Sequence, residues 1–166
     1  MGLFRSLRPD RMYPDVTCIT ASELEGMGVR ALMLDIDGTL MPTKAGGLND
    51  DVLRWLDDMK EAGIGLFILS NSRRVWRVRE LGEQLGLPWI ARARKPRRKG
   101  FGEGIAALGP APGQVGMVGD QTFTDVWGGN RAGCVTLLVE TTDNRLIQHY
   151  LRRPFETPFR REKRRL

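Results

Sequence analysis

Four short runs of consecutive apolar residues stand out in the hydrophobic pattern of the chain. They lie at residues 31–36, 64–69, 115–118 and 134–139. Strands of a parallel sheet are continuous in this way because helices cover both of their faces. The four runs therefore predict buried parallel strands, and we predict a further short strand at residues 88–91.

Segments with apolar residues at helical spacing alternate with these runs. The predicted helices cover residues 20–28, 50–62, 73–85, 99–108 and 121–132. Thr20 and Glu23 have the spacing of a capping box at the start of the first helix, and Ser72 is the predicted N-cap of the third. Because strands and helices alternate, we predict an α/β fold, a single Rossmann-like domain with a mostly parallel sheet flanked by helices.

The spacing of the polar segments limits what this domain can contain. We predict one domain over residues 1–166, with a basic C-terminal tail from about residue 150. Only 32 residues separate Asp37 from Ser70, and 24 separate Ser70 from Lys95, and the predicted helices and strands fill both intervals. We therefore predict no cap domain. The site is expected to be open to a large substrate or to be closed by a neighbouring subunit.

Polar side chains follow the predicted strands at the points where the strands end. In chain order they are Asp35 and Asp37, Ser70 and Asn71, Lys95, and Asp120 and Asp125. Each one alone has an ordinary explanation as a turn residue, a helix cap or a surface charge. Parallel sheets, however, bind ligands at the carboxyl ends of their strands. The ordered set therefore predicts one functional site at that edge.

The residue types in this set suit phosphoryl transfer, which needs positive charge, hydrogen-bond donors and a metal placed around a nucleophile. Asp35 is the candidate nucleophile, and Asp37 is the candidate acid and base that serves the leaving group and the water. Two carboxylates this close disfavour joint ionisation unless a cation accompanies them. Mg²⁺ accepts such oxygen ligands. The candidate metal residues are Asp35, Asp37, Asp120 and Asp125, with a backbone carbonyl completing the set.

The remaining residues of the set are candidates for binding the phosphoryl oxygens. Ser70 and Asn71 follow the second strand, and Lys95 contributes a compact positive charge. Asp125 is expected to hold metal-bound waters or to orient Lys95. Gly38 lets the chain turn sharply after the two carboxylates, and the hydroxyl of Thr39 is expected to brace that turn.

The formal net charge of +6 predicts an anionic partner. Basic residues cluster at 72–80, 91–100 and 151–166, which is typical of a solvated basic surface, a nucleic-acid surface, an anionic membrane surface or a site for a phosphorylated substrate. Cys18 and Cys134 have no metal-type spacing, which excludes zinc and indicates a reducing compartment, the cytoplasm. We find no apolar run long enough to cross a bilayer and no secretory signal pattern.

Four motifs together resemble the haloacid dehalogenase-like (HAD) phosphatases. They are "LDIDGTL", "ILSNS", "ARKP" and "VGDQTFTDVWGGN". With "LRPDRMYPDVTCIT" upstream, the chain resembles the YqeG family of subclass IIIA, which is related to phosphatidylglycerophosphate phosphatases. The resemblance implies Asp35 as nucleophile, Asp37 as acid and base, Ser70 and Lys95 at the phosphate, and Asp120 with Asp125 at Mg²⁺.

The expected function is thus a Mg²⁺-dependent phosphomonoesterase, with phosphatidylglycerophosphate or a similar lipid phosphate as the substrate. The basic clusters would hold such a cytoplasmic protein peripherally at the inner membrane surface. A phosphatase for nucleic-acid ends or for a soluble phosphometabolite is the alternative enzyme. A nucleic-acid-binding protein on a phosphatase scaffold is the alternative of another class, although no expected catalytic position is substituted.

Overall fold

The chain forms one six-stranded sheet in the computed structural model, which describes residues 6–42 and 47–140. The strands are β1 (Arg11–Tyr13), β2 (Ala31–Leu34), β3 (Gly65–Leu69), β4 (Trp89–Ile90), β5 (Val115–Gly119) and β6 (Val135–Val139). Their order is β1-β6-β5-β2-β3-β4, and every neighbouring pair is parallel. The predicted parallel sheet is confirmed, and β2 lies at its centre between β5 and β3.

Helices connect the strands and cover both faces of the sheet. They are α1 (Ala21–Gly26), α2 (Asp50–Glu61), α3 (Val75–Leu85), α4 (Arg98–Leu108) and α5 (Trp127–Ala132). Short 3-10 helices occupy Val16–Cys18 and Pro112–Gln114, and a π-helical turn, Thr122–Val126, leads into α5. None of the helices in the described ranges has the length and apolar character that crossing a bilayer requires.

Alternation along β2 divides the core into two layers, because successive side chains of a strand point to opposite faces. Leu32 and Leu34 belong to the layer that contains apolar residues of α1, α2 and α3. Ala31 and Met33 belong to the other layer, with Phe101 of α4. Both faces of the central strand are therefore buried, which explains why its sequence is a continuous apolar run.

The predicted capping box of the first helix is confirmed. The Thr20 hydroxyl accepts a hydrogen bond from the Glu23 amide at 3.2 Å, and the Glu23 carboxylate accepts one from the Thr20 amide at 3.3 Å. The predicted Ser72 cap is wrong, because α3 begins at Val75 and its N-cap is Arg74. The Ser72 hydroxyl instead accepts from the Arg74 amide within the preceding loop.

The edge strand β1 was not predicted. It is only three residues long, and it pairs with β6 in the register Arg11 to Leu137. The Asp10 carboxylate accepts a hydrogen bond from the Thr136 amide at 2.8 Å, which ties the start of β1 to the sheet. A contact over 126 residues along the chain leaves no local pattern to recognise.

The predicted absence of a cap domain agrees with the described residues. Between Asp37 and Ser70 the structure describes a loop, α2 and β3, with residues 43–46 outside the described part. Between Ser70 and Lys95 it describes α3 and β4. The predicted basic tail from about residue 150 lies outside the described residues.

Candidate active site

The polar residues predicted from the strand ends lie along the carboxyl edge of the sheet. Asp35 directly follows β2, and its amide donates to the Val118 carbonyl of β5 at 3.0 Å, which extends the strand pairing to this residue. Ser70 directly follows β3, and Asp120 directly follows β5. Since β3 and β5 flank β2, these ends place Asp35 at the middle of the edge.

Lys95 links two of the predicted acids. Its ammonium group donates to Oδ1 of Asp35 and to Oδ1 of Asp125, each at 2.7 Å. The side chains of Lys95 and Asp125 are each 1% exposed, and that of Asp35 is 8% exposed. The bond between Lys95 and Asp125 is the contact through which Asp125 would orient the lysine.

Burial and charge act in opposite directions on these groups. Burial raises the pKa of Asp35 to about 7, although Lys95 lowers it. Burial alone would lower the pKa of Lys95, but Asp125 and Asp35 outweigh that effect, so its pKa lies above the usual value. Because one ammonium group bonds to two carboxylates, the lysine is charged. Its single positive charge is shared between the two acids.

A third carboxylate joins this cluster. One carboxylate oxygen from each of Asp35, Asp120 and Asp125 lies within 4.8 Å of the others, and all three residues are buried. Three buried acids and one lysine leave an excess of negative charge that is costly away from water. A divalent cation would offset that excess, and carboxylate oxygens are the ligands that Mg²⁺ prefers. The residues therefore fit the predicted metal.

The turn after β5 positions Asp125. The Gln121 amide donates to Oδ2 of Asp125 at 3.1 Å, so the wide turn folds this carboxylate back over the end of the strand. A Cβ atom at Gly119 would clash with that same oxygen. The sequence analysis missed Gly119, although a glycine directly before a strand-end aspartate is a recognisable signal of close approach.

The loop after β3 is bonded to the loop that carries Lys95. The Asn71 side chain donates to the Lys95 carbonyl at 3.1 Å and accepts from the Lys95 amide at 2.7 Å. Its amide group thus holds the Lys95 backbone in place. The buried Ser70 hydroxyl accepts from the Ser72 amide at 3.0 Å. Phosphate binding by Ser70, Asn71 and Lys95 stays a prediction.

Asp37 is not one of the three acids of the cluster and bonds to an arginine instead. Its Oδ1 atom accepts from Nη1 of Arg77 at 2.6 Å, and the second guanidinium nitrogen lies 3.1 Å from Sδ of Met41. The side chains of Arg77 and Asp37 are 17% and 27% exposed. Sequence analysis placed Arg77 in a basic cluster without a specific partner, because 40 residues separate it from Asp37.

Backbone hydrogen bonds hold the turn that follows Asp35 and Asp37. Gly38 has φ +83°, a left-handed conformation that favours glycine, and its amide donates to the Met41 carbonyl at 2.8 Å. The predicted brace by the Thr39 hydroxyl is wrong. That hydroxyl has no hydrogen-bond partner within residues 6–42 and 47–140, and the Thr39 amide bonds to Ile36 instead.

Comparison with known proteins assigns this fold and site to a class of protein, the HAD-type hydrolases. The family described as HAD-hydrolase-like matches residues 92–155. A solved HAD phosphatase from Thermococcus onnurineus has a similar fold, with a TM-score of 0.50 and 27% identity over 56% of this chain and 46% of that chain.

Two curated relatives make the assignment narrower. The "Probable phosphatase YqeG" of Bacillus subtilis (strain 168) is 35% identical over 131 residues, which cover 79% of this chain and 76% of that protein. The chloroplastic phosphatidylglycerophosphate phosphatase 1 of Chlamydomonas reinhardtii is 32% identical, and the match spans 84% of this chain but 58% of the relative. The chain belongs to the YqeG family of HAD-like phosphatases.

Proposed function

We propose that the protein is a Mg²⁺-dependent phosphomonoesterase that acts through an aspartyl-phosphate on Asp35. The observation that carries this proposal is the contact between Lys95 and Asp35 at 2.7 Å within a buried triad of acids. A carboxylate held by one oxygen keeps its second oxygen for attack on phosphorus. A lysine at this position also attracts the phosphoryl oxygens.

The reaction proceeds in two displacements. Asp35 attacks the phosphorus atom, the phosphoryl group moves to its carboxylate, and the ester oxygen leaves with a proton from Asp37. Asp37 then takes a proton from a water molecule, which attacks the aspartyl-phosphate and releases inorganic phosphate. Arg77 bonds to one oxygen of Asp37 and so orients its carboxyl group.

The acidic cluster supplies the metal ligands in this proposal. Asp35 and Asp120 would hold Mg²⁺, and Asp125 supports the site by holding Lys95. When bound, the ion offsets the charge of the carboxylates and stabilises negative charge on the phosphoryl oxygens. The Asp37 carboxylate, bonded to Arg77, is assigned to proton transfer rather than to the metal.

A lipid phosphate is the proposed substrate, with phosphatidylglycerophosphate as the specific candidate. The net charge of +6 favours an anionic surface, and the described intervals around the site hold no cap domain that would exclude a large substrate. The Chlamydomonas relative is named for this activity. The protein would act in the cytoplasm, peripherally at the inner membrane surface, as a monomer or with a neighbouring subunit at the site.

Two other functions compete with this one. A phosphatase for nucleic-acid ends or a soluble phosphometabolite would use the same residues on another substrate. A nucleic-acid-binding protein on the same scaffold would not need them. The contacts of Lys95 with Asp35 and Asp125 favour an enzyme. A site that has lost its catalytic activity would not need to keep three buried acids around one lysine.

Phosphate release across a panel of lipid, nucleotide and sugar phosphates tests the proposal. We expect release to require Mg²⁺, to stop in excess chelator and to be fastest with the lipid phosphate. Asp35→Asn is the matched control, since it keeps the shape of the side chain and removes the nucleophile. Full activity in excess chelator would contradict the requirement for a metal. Faster phosphate release from nucleic-acid ends than from the lipid would contradict the lipid substrate.

A further inference from the structure

Large apolar side chains reach solvent at the mouth of the site. In the described part of the chain the exposed large hydrophobic residues are Val75, Trp76 and Phe123, with exposed fractions of 37%, 59% and 44%. Val75 and Trp76 begin α3, just after β3, and Phe123 lies in the turn after β5. Because β3 and β5 flank β2, these residues lie on both sides of Asp35 at the carboxyl edge.

Exposed arginines occupy the same edge. They are Arg73, Arg74, Arg92, Arg94 and Arg97, in the loops that lead into α3 and α4, and Arg98, the first residue of α4. None of the six forms an ion pair with a carboxylate of residues 6–42 or 47–140, and no acidic residue occurs at 70–79 or 91–102. By contrast, Arg54, Arg79 and Lys99 each lie opposite an acid of their own helix. The six arginines are therefore not paired with acids of the described residues.

Hydrogen bonds join the two arginine-bearing loops into one surface. The Arg92 amide donates to the Ser72 carbonyl at 3.1 Å, and the Ala93 amide donates to the Ser70 carbonyl at 2.9 Å. Arg92 and Arg94 have φ values of 51° and 56°. This left-handed conformation is unfavourable for a residue with a long side chain, and such strain occurs preferentially at functional sites.

We propose that this surface, residues 73–76 and 92–98 and here called the arginine rim, docks the protein on an anionic phospholipid bilayer. The inference rests on the proposed function and specifies how its site meets a lipid substrate. Arginines are attracted to anionic headgroups, and tryptophan is enriched at the membrane–water interface. With Trp76 in the headgroup layer, the carboxyl edge of the sheet faces the bilayer. A phosphoryl group on a lipid then approaches Asp35 without leaving the membrane.

Vesicle sedimentation of the full chain tests this docking. The vesicles contain phosphatidylcholine alone or phosphatidylcholine mixed with phosphatidylglycerol, which carries no phosphomonoester. Arg74→Glu is compared with Arg30→Glu, which makes the same charge change at an exposed residue before β2, at the opposite edge of the sheet. We expect Arg74→Glu to weaken binding to the anionic vesicles about tenfold and Arg30→Glu to weaken it less than about twofold.

Tryptophan fluorescence measures separately whether Trp76 enters the membrane–water interface. We expect the wild-type fluorescence to shift to the blue on anionic vesicles, and we expect Trp76→Phe to lose that shift while it keeps most of the binding. Trp76→Ser should lose both. Circular dichroism of each variant separates a lost contact from a lost fold. The three other tryptophans and the whole C-terminal tail are present in every variant, so they cannot account for a difference between variants.

The outcomes separate docking from catalysis. Equal losses for Arg74→Glu and Arg30→Glu, or equal binding to both vesicle types, would overturn the docking surface. Tighter, rim-dependent binding to a single-stranded oligonucleotide than to anionic vesicles would also overturn it in favour of nucleic acid. Hydrolysis of a soluble phosphomonoester is measured in parallel. Rim-dependent binding without any hydrolysis would overturn the proposed function alone, and hydrolysis without rim-dependent binding would overturn the docking alone.

Discussion

Two acid–cation pairs lie beside the same site, and they differ in burial. Lys95 bonds to Asp35 with side chains 1% and 8% exposed, whereas Arg77 bonds to Asp37 with side chains 17% and 27% exposed. The distances are similar, 2.7 Å and 2.6 Å. Since removing one partner of a buried pair leaves an uncompensated charge away from water, the first pair should be costly to disrupt. The second pair is near water, and its contribution should be small.

The difference also separates two kinds of chemistry. The buried pair lies where water is excluded, which suits a nucleophile and a metal. The more exposed pair has access to solvent, which suits the proton exchange with a leaving group and water that we propose for Asp37. Each of the following predictions tests one side of this contrast, in order of the expected effect.

The largest effect is expected at the proposed nucleophile. Asp35→Asn should lower phosphate release about a thousandfold or more, because the amide cannot form the aspartyl-phosphate. The protein should still fold, since the side chains have nearly the same shape. Steady-state release of inorganic phosphate measures the first expectation, and circular dichroism measures the second. Wild-type activity in Asp35→Asn would contradict the covalent mechanism.

Asp37→Asn should slow both half-reactions, and a faster enzyme would contradict its acid and base role.

The buried cation should matter for stability as well as activity. Lys95→Met leaves Asp35 and Asp125 without their shared partner, so we expect the free energy of unfolding to fall by about 3 kcal/mol or more. Urea denaturation in the absence of divalent metal measures this change. A loss below about 1 kcal/mol would show that water or relaxation compensates these acids.

Removal of a proposed metal ligand should have the next largest effect. Asp120→Ala should weaken Mg²⁺ binding about tenfold or more, because it removes one carboxylate of the triad. Titration of activity against Mg²⁺ concentration gives the apparent affinity, and Asp58→Ala, a change on α2 away from the site, serves as the control. An unchanged midpoint for Asp120→Ala would exclude it as a ligand.

The metal-free protein should show a pH dependence that belongs to Asp35. Burial raises the pKa of Asp35 to about 7 from its ordinary value of 3.8, so the folded state binds the proton more tightly than the unfolded state. The contribution of this proton to stability is present below pH 4 and is lost as the pH rises through 7. Relative to Asp35→Asn, the free energy of unfolding of the wild type should fall by about 1 kcal/mol or more between these values. Parallel pH profiles for the two proteins would contradict the raised pKa.

The smallest effect on stability is expected at the more exposed pair, Arg77 and Asp37. Arg77→Met should change the free energy of unfolding by about 1 kcal/mol or less, because solvent screens the charges. It should nevertheless slow turnover by releasing the Asp37 carboxylate from its orientation. Arg77→Lys should restore part of the rate, since one ammonium group can still bond to Asp37. A stability loss as large as that of Lys95→Met would remove the distinction between the two pairs.

Much of the fold could be predicted from local patterns. The continuous apolar runs predicted β2, β3, β5 and β6, because a buried strand needs apolar side chains on both faces. The capping box at Thr20 was predictable because its two partners are three residues apart. The Ser72 cap was wrong because the same local rule applies to a loop, where the hydroxyl accepts from Arg74 before the helix begins.

Some features of the site could be predicted from local patterns and others could not. The apolar runs were enough to predict that Asp35, Ser70, Lys95 and Asp120 follow strands, because the end of such a run marks the edge where a parallel sheet binds ligands. The bonds between these side chains could not be predicted and are seen only in the folded chain. Lys95 contacts acids 60 and 30 residues away, and Arg77 contacts Asp37 across 40 residues. Such contacts depend on strand order and on loop conformation, which periodicity along the chain does not encode.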